Sequence, residues 1–298
     1  MDWPTPASQR EKATGVGKLS DGAKLSAVIA KLKTLPSYHP TVVALLGIST
    51  ENPSAVEEFQ AVFQTDPAFA SELLQVANSA EFGLRREVES IRHALTLLGL
   101  DRVSSLAFEM AMRFYMNRVP SMREMQSVWS HSVATAIIAQ ALAEACGQRS
   151  AGMYSAGLIH DIGKLGLMMI EGQPFVEFCA GEFDSTEQYL ARERELLGVT
   201  HAEAGRAMAE NWGFPLHLCE CIGKHHDNLN KPLAKPTDIV ACACRFASAL
   251  NYPEFRTERV EAPEQVLVGL GSDVRRSAHL DPVRLQAAIT KALQSVWR

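Results

Sequence analysis

The chain has few aromatic residues, 7% of its 298, and no apolar run long enough to cross a bilayer. The apolar segment from Ala134 to Ala145 is interrupted by Gln140 and Glu144, so no membrane partner is expected. The opening residues MDWPTPASQREK carry no basic stretch leading into an apolar core. No secretory signal is read there, and a cytoplasmic location is the expectation. Basic residues are outnumbered, 29 Lys and Arg against 34 Asp and Glu, for a net charge of -5. No basic run interleaved with aromatics occurs, so a nucleic-acid groove is not expected. The six cysteines form neither a disulfide framework nor a CxxC pair. The pairs Cys219-x-Cys221 and Cys242-x-Cys244 raise a four-thiolate zinc site, but residues two apart on a helix point to different sides. All six read better as reduced, small core residues.

Persistent period-two alternation is missing as well, which argues against sheets. What is present is an apolar fraction of 47% rich in Ala and Leu, with periodicity suited to packed helices. Residues 1–22 read as a flexible tail. Helices are predicted from Ala23 to about Leu35, Val42 to Ile48, Val56 to Phe63, after Asp66-Pro67, and from Ile91 to Leu98. Longer ones follow over Val103 to Tyr115 and Val128 to Ala145, where Trp129, Val133, Ile137, Ile138 and Leu142 make one broad apolar face. Thr200-x-x-Glu203 is a capping box that makes His201 the first residue of a helix. Further helices lead up to His225-His226, run from Asp238 to Leu250, and close the chain from Pro282 to Trp297. The fold class is all-α.

The chemistry-bearing residues gather around Gly157-Leu158-Ile159-His160-Asp161-Ile162-Gly163-Lys164. An imidazole and a carboxylate stand side by side in an apolar run, which is costly unless they are paired or bound. His131 lies 29 residues before His160, His201 lies 40 after Asp161, and His225-His226 begin 24 after His201. These are ligand types for a divalent metal. Two plainer readings stay open: a buried His160-Asp161 hydrogen-bonded pair, and Lys164 as a cation complementing a helix dipole. Asp66-Pro67 and Asn78 read as helix caps and pins rather than ligands.

His131, His160-Asp161 and the trailing Gly163-Lys164 resemble the HD superfamily of metal-dependent phosphohydrolases. Leu35-Pro36, Asp66-Pro67, Asn78-Ser79-Ala80, Phe82-Gly83, Ile91-x-x-Ala94 and Leu98-Gly99-Leu100 resemble the HDOD domain, the HD-related output domain of bacterial signalling proteins. The resemblance implies a two-lobed helical bundle. Residues 23–120 would form the N-terminal lobe, 121–250 the HD-like lobe and 251–298 a C-terminal extension. It also implies a metal set of His131, His160, Asp161, His201, His225 and His226, with Asp161 and Lys164 as catalytic residues if the site is hydrolytic. His201, His225 and His226 fall where the related HD-GYP phosphodiesterases, which cleave cyclic di-GMP, place additional ligands.

Two departures count against hydrolysis. Cys244 stands where the HD pattern closes with an Asp, and Asp238, six residues earlier, is an imperfect substitute. No Gly-Tyr-Pro signature follows His226. A thiolate in place of a carboxylate disfavours magnesium and leaves Fe, Mn or Zn as the divalent candidates. The function implied is a regulatory output module acting through a signalling protein partner or a nucleotide messenger. The alternative is a metal-dependent phosphohydrolase. Self-association is left open.

Overall fold

The computed structural model describes residues 21–296 apart from 37–38, 51, 80–86, 117–121, 149, 151, 230 and 258. Residues 1–20 of the expected tail and the Phe82-Gly83 motif lie outside the described residues, whereas Asp21 and Gly22 are already helical. The first half contains α1 (Asp21–Lys33), α2 (Pro40–Leu46), α3 (Ala55–Gln64), α4 (Pro67–Ala77), α5 (Ile91–Leu98) and α6 (Leu100–Met116). The centre contains α7 (Met122–Ala145), α8 (Met153–Ile159), α9 (Ile162–Glu171), α10 (Gln173–Cys179) and α11 (Thr186–Leu197). Then come α12 (His201–Asn211), α13 (Leu216–Lys224) and α14 (Pro236–Ala249). Two one-turn helices, α15 (Pro263–Val266) and α16 (Ser272–Arg275), precede α17 (Pro282–Val296). Among the described residues the sole isolated β-bridge joins Glu182 and Arg256, and the chain is all-α.

Local chemistry places the early helices. The Asp66 carboxylate accepts from the Phe69 amide at 3.0 Å, capping α4, and from the Thr41 hydroxyl at 3.0 Å, which ties α2 to that cap. Asn78 ends α4 and pins the chain ten residues on. Its amide donates to the Val88 carbonyl at 2.9 Å, and its carbonyl accepts from the Val88 amide at 2.7 Å. Phe59, Phe63, Phe69 and Leu73 are buried between these helices. α1 precedes this lobe in sequence but packs mainly on α9 and α12, with Leu32 fully buried there.

α7 is the central strut. The sequence pattern suggests one broad apolar face, but the helix is buried nearly all round, between α8, α14 and α17. Ala134, Ala136, Ala139 and Ala143 allow that close approach, and it carries His131 into the interior. α17 docks on α7 through buried Leu285 and Ile289.

Two glycines set the spacing on either side of His160-Asp161. A Cβ at Gly157 on α8 would lie 2.7 Å from the Ala136 Cα of α7. A Cβ at Gly163 on α9 would lie 1.9 Å from the His201 carbonyl oxygen and 2.6 Å from the Gly205 amide nitrogen of α12. These neighbours are backbone, so they yield only if a helix moves. Gly163→Ala is therefore expected to destabilise the protein by about 3 kcal/mol, at the upper end of overpacking costs. Denaturant titration checks this, and an unchanged midpoint would remove the close-packing account.

Candidate metal centre

α8 stops at Ile159, and His160 and Asp161 form the link to α9. Breaking the helix there turns adjacent side chains into one interior volume. The same device operates at the end of α13: Lys224 is its last residue, and His225 and His226 lie beyond it. Adjacent residues inside a helix point away from one another, so joint ligation requires such an end. The structure supplies it, with the His201 Nε2 3.2 Å from the His225 Nε2 and 2.9 Å from the His226 Nε2. His201 opens α12 under the expected capping box, in which Thr200 and Glu203 satisfy each other's backbone amides.

All six expected metal residues converge. His131, His160, Asp161, His201 and His225 are fully buried, and His226 alone shows a small exposed edge. Two donor groups emerge. One comprises Asp161, His201, His225, His226 and Glu254, the other His131, His160 and Cys244. Asp161 spans them, its Oδ1 3.3 Å from His201 and 3.4 Å from His225, and its Oδ2 3.7 Å from His160.

Four of the five rings are oriented by the nitrogen that faces away from the centre. The Nδ1–H of His131 donates to the Tyr252 carbonyl, that of His160 to Gly157 and that of His225 to Ile222, each at 2.7 Å. His201 Nδ1–H donates to the Glu193 carboxyl at 2.8 Å. A carbonyl oxygen only accepts, so Nδ1 of His131, His160 and His225 carries the proton and Nε2 of each presents a lone pair inward; burial pushes the Glu193 carboxyl beside His201 well above the usual carboxylate range. Burial pushes His131, His160, His201 and His226 below the ordinary imidazole range. Burial thus favours the neutral form of these four rings, which is the ligand form.

Two residues of the centre carry no sequence signal of their own. Glu254 follows the left-handed Asn251 at the end of α14 and reaches back into the cluster, its Oε1 2.7 Å from Lys164 Nζ and 3.1 Å from His226. It supplies the carboxylate whose place on α14 is taken by Cys244. Asp238, the candidate substitute, instead caps α14 by accepting from the Lys235 amide at 3.2 Å. Glu193 on α11 is the other. It holds both the backbone amide and the ring of His201, in the manner of carboxylates that orient metal-binding histidines. Their only signal was an acid in a buried or near-turn context, which local spacing does not resolve.

Lys164 lies inside the cluster and not at its mouth. Its Nζ donates to Asp161 at 2.9 Å as well as to Glu254, and sits 5.3 Å from the centre of the Tyr189 ring. Burial alone would lower its pKa, but Asp161 and Glu254 outweigh burial and raise it. Burial likewise opposes ionisation of the two carboxylates. Lys164 and His160 outweigh it at Asp161, and His226 and Lys164 at Glu254, so both are held well below the usual range. Two carboxylates thus face one ammonium among neutral rings. Asp161 Oδ1 is buried without a hydrogen-bond partner. Lone pairs and surplus negative charge converging on an orphaned oxygen are what a divalent cation would satisfy, so the donor set fits a metal.

Beside the cluster lies a cleft of about 290 Å³, reaching His226, Cys244 and Glu254 and lined on its far side by Ser185, Arg245 and Arg259.

Two outcomes follow from this geometry. In metal-free protein, the unfolded chain binds protons at histidine near pH 6.5 while the folded rings stay neutral. Stability is then complete above that pH and falls below it, by about 1.4 kcal/mol per pH unit for each ring still neutral. Asp161 and Glu254, with depressed pKa values, add their own loss below about pH 4. Denaturation in chelator at pH 7.5, 6.5 and 5.5 reads this, and a flat profile would contradict it. Separately, Glu193→Leu is expected to weaken metal binding about 10- to 100-fold. Glu193→Gln, which keeps a carbonyl acceptor for His201, should retain most of it. Calorimetric titration with zinc or manganese separates the two.

Residues 35–228 match the HDOD domain model. A solved HDOD domain protein of unknown function from Geobacter sulfurreducens is similar in fold, with a TM-score of 0.68 at 23% identity over 91% of this chain and 96% of that one. An uncharacterized protein of Treponema pallidum is 24% identical over 70% of this chain and 41% of its own length. Ribonuclease Y of Thermus thermophilus is 28% identical over 47% of this chain and 21% of its own length. The chain thus spans well under half of either sequence relative. With the family's model covering most of the sequence and the helical frame shared, the chain belongs to the HDOD domain family.

Proposed function

We propose that the chain is a signalling module whose HD-like lobe holds a divalent metal as a regulatory centre, with a signalling protein or a nucleotide messenger as its partner. The observation that carries this reading is the position of Glu254. It lies between the cleft and Asp161, fills the approach to the cluster, and holds Lys164, the cation a phosphate would need. Hydrolytic metal sites keep an open position, whereas closed sites serve structure. The cleft ends on His226, Cys244 and Glu254, so a messenger or a partner segment entering it would act on the centre through the carboxylate that closes it.

One observation favours a second reading, a metal-dependent phosphohydrolase acting on phosphodiesters. Arg245 and Arg259 line the same cleft that reaches the ligands, and guanidinium groups suit phosphate. In that reading a bound metal supplies Lewis acidity toward a phosphoryl oxygen. The chain's own part would be for Arg245 and Arg259 to hold the phosphate and for Glu254 to swing aside.

Purified protein decides between them. Metal content is measured first, then turnover of cyclic di-GMP, a generic phosphodiester and a short RNA with Mn, Fe and Mg. The expected result is stoichiometric metal, lost in Asp161→Ala, with no turnover. Turnover that disappears in Asp161→Ala would overturn the regulatory reading, and absence of any metal would overturn both.

A further inference from the structure

Resting on the metal-binding reading above, we infer that Cys244 makes the His131–His160–Cys244 end of the cluster a distinct, zinc-selective position. The remaining donors, Asp161, His201, His225, His226 and Glu254, form a harder position beside it. His131 Nε2 lies 3.2 Å from His160 Nε2 and 3.4 Å from Cys244 Sγ. A tetrahedral zinc ion with nitrogen ligands near 2.1 Å and sulfur near 2.3 Å spaces its donors roughly 3.3 to 3.6 Å apart. The two separations from His131 stand at nearly that spacing, and all three donors lie within 4.8 Å of one another. Asp161 Oδ2, at 3.7 Å from His160 and 4.0 Å from His131, is the nearest fourth donor.

The alternative arrangement is a plain hydrogen bond from the Cys244 thiol, either to His131 Nε2 at 3.4 Å or to Glu254 Oε2 at 3.9 Å. That satisfies at most one imidazole lone pair and leaves the other exposed. His160 Nδ1 is committed to the Gly157 carbonyl, so its Nε2 carries no proton and faces the equally unprotonated Nε2 of His131. A cation between the rings satisfies both nitrogens at once. On binding, zinc accepts the sulfur lone pair and the thiol proton leaves to solvent, so charge and atoms balance. Softness then separates the positions: a thiolate with two imidazoles selects zinc, while a carboxylate-rich set with three imidazoles accepts iron or manganese. Among the described residues the other cysteines form no comparable set. Neighbouring Cys242 is buried in the core, and its sulfur belongs to neither donor group.

Cobalt(II) loading of the full chain tests this, because thiolate ligation adds a near-ultraviolet sulfur-to-cobalt charge-transfer band. The expected result is such a band in the native protein, absent in Cys244→Ser, with metal content falling by one equivalent and the other retained. Cys244→Asp, which keeps a ligand and so guards against simple misfolding, should restore that equivalent without the band. It should also exchange the position's preference for zinc over manganese. Cobalt bound without the band, or a band that survives in Cys244→Ser, would overturn this inference alone. Failure to bind any metal would overturn the proposed function with it.

Discussion

Three backbone carbonyls and one buried carboxylate decide what the centre of this molecule can be. Tyr252, Gly157, Ile222 and Glu193 each take the Nδ1 proton of one histidine. Every bond to a backbone carbonyl turns the opposite nitrogen into an inward lone pair, and the dry surroundings hold His131, His160 and His201 below the ordinary imidazole range. Nothing in that arrangement is self-satisfying. Among His131, His160 and His225, donation from ring to ring would need mixed tautomers, and the outward carbonyl acceptors forbid them. The fold around the cluster can be understood as what is needed to hold those four acceptors in place.

That requirement reaches far along the chain. The Gly157 carbonyl belongs to α8, which lies against α7 closely enough that a methyl group would not fit between them. His201 is held through Glu193 on α11, while its own carbonyl presses on Gly163 of α9. The Tyr252 carbonyl comes from the segment after α14, which returns across the end of α7. A shift in any of these helices would rotate a ring as well as open a gap. Packing and ligand geometry are therefore coupled, and a site of this kind is lost as a unit or kept as a unit.

The sequence discloses the parts of this that are local. Asp66-Pro67, the Thr200–Glu203 capping box and the apolar periodicities have neighbours within a turn, and the helices formed as those neighbours dictate. The six candidate histidine and aspartate residues were singled out because their spacing resembled a known pattern, and the fold brings them together. Glu193 and Glu254 were not, since each acts across a fold-level distance that no local pattern encodes. Glu254 shows the difference well. The expected acid was sought on α14, where Cys244 stands and where Asp238 was the nearest carboxylate. The chain supplies the acid from the following loop, once Asn251 has turned the backbone through the left-handed region. The one-faced pattern of α7 misled for a related reason, because alanines and hydroxyl residues on its other sides are buried by helices distant in sequence.

The relocation of that acid changes what the centre does. A carboxylate on a helix is fixed, but one on the segment after α14 moves with whatever that segment touches. Phe255, next to Glu254, stacks on Tyr189 with ring centres 5.0 Å apart, and Tyr189 also sits beneath the Lys164 ammonium. Arg256 pairs its backbone with Glu182. The segment thus meets the cluster through Glu254 and the aromatic packing through Phe255, and both of these residues line the cleft. A ligand that draws Phe255 away withdraws Glu254 from Lys164 and His226 at the same time. Lys164 would then face Asp161 alone, and the balance of charge at the metal position would shift by one carboxylate. Occupancy of the cleft and the state of the buried cluster are joined by these few side chains, with no helix required to move.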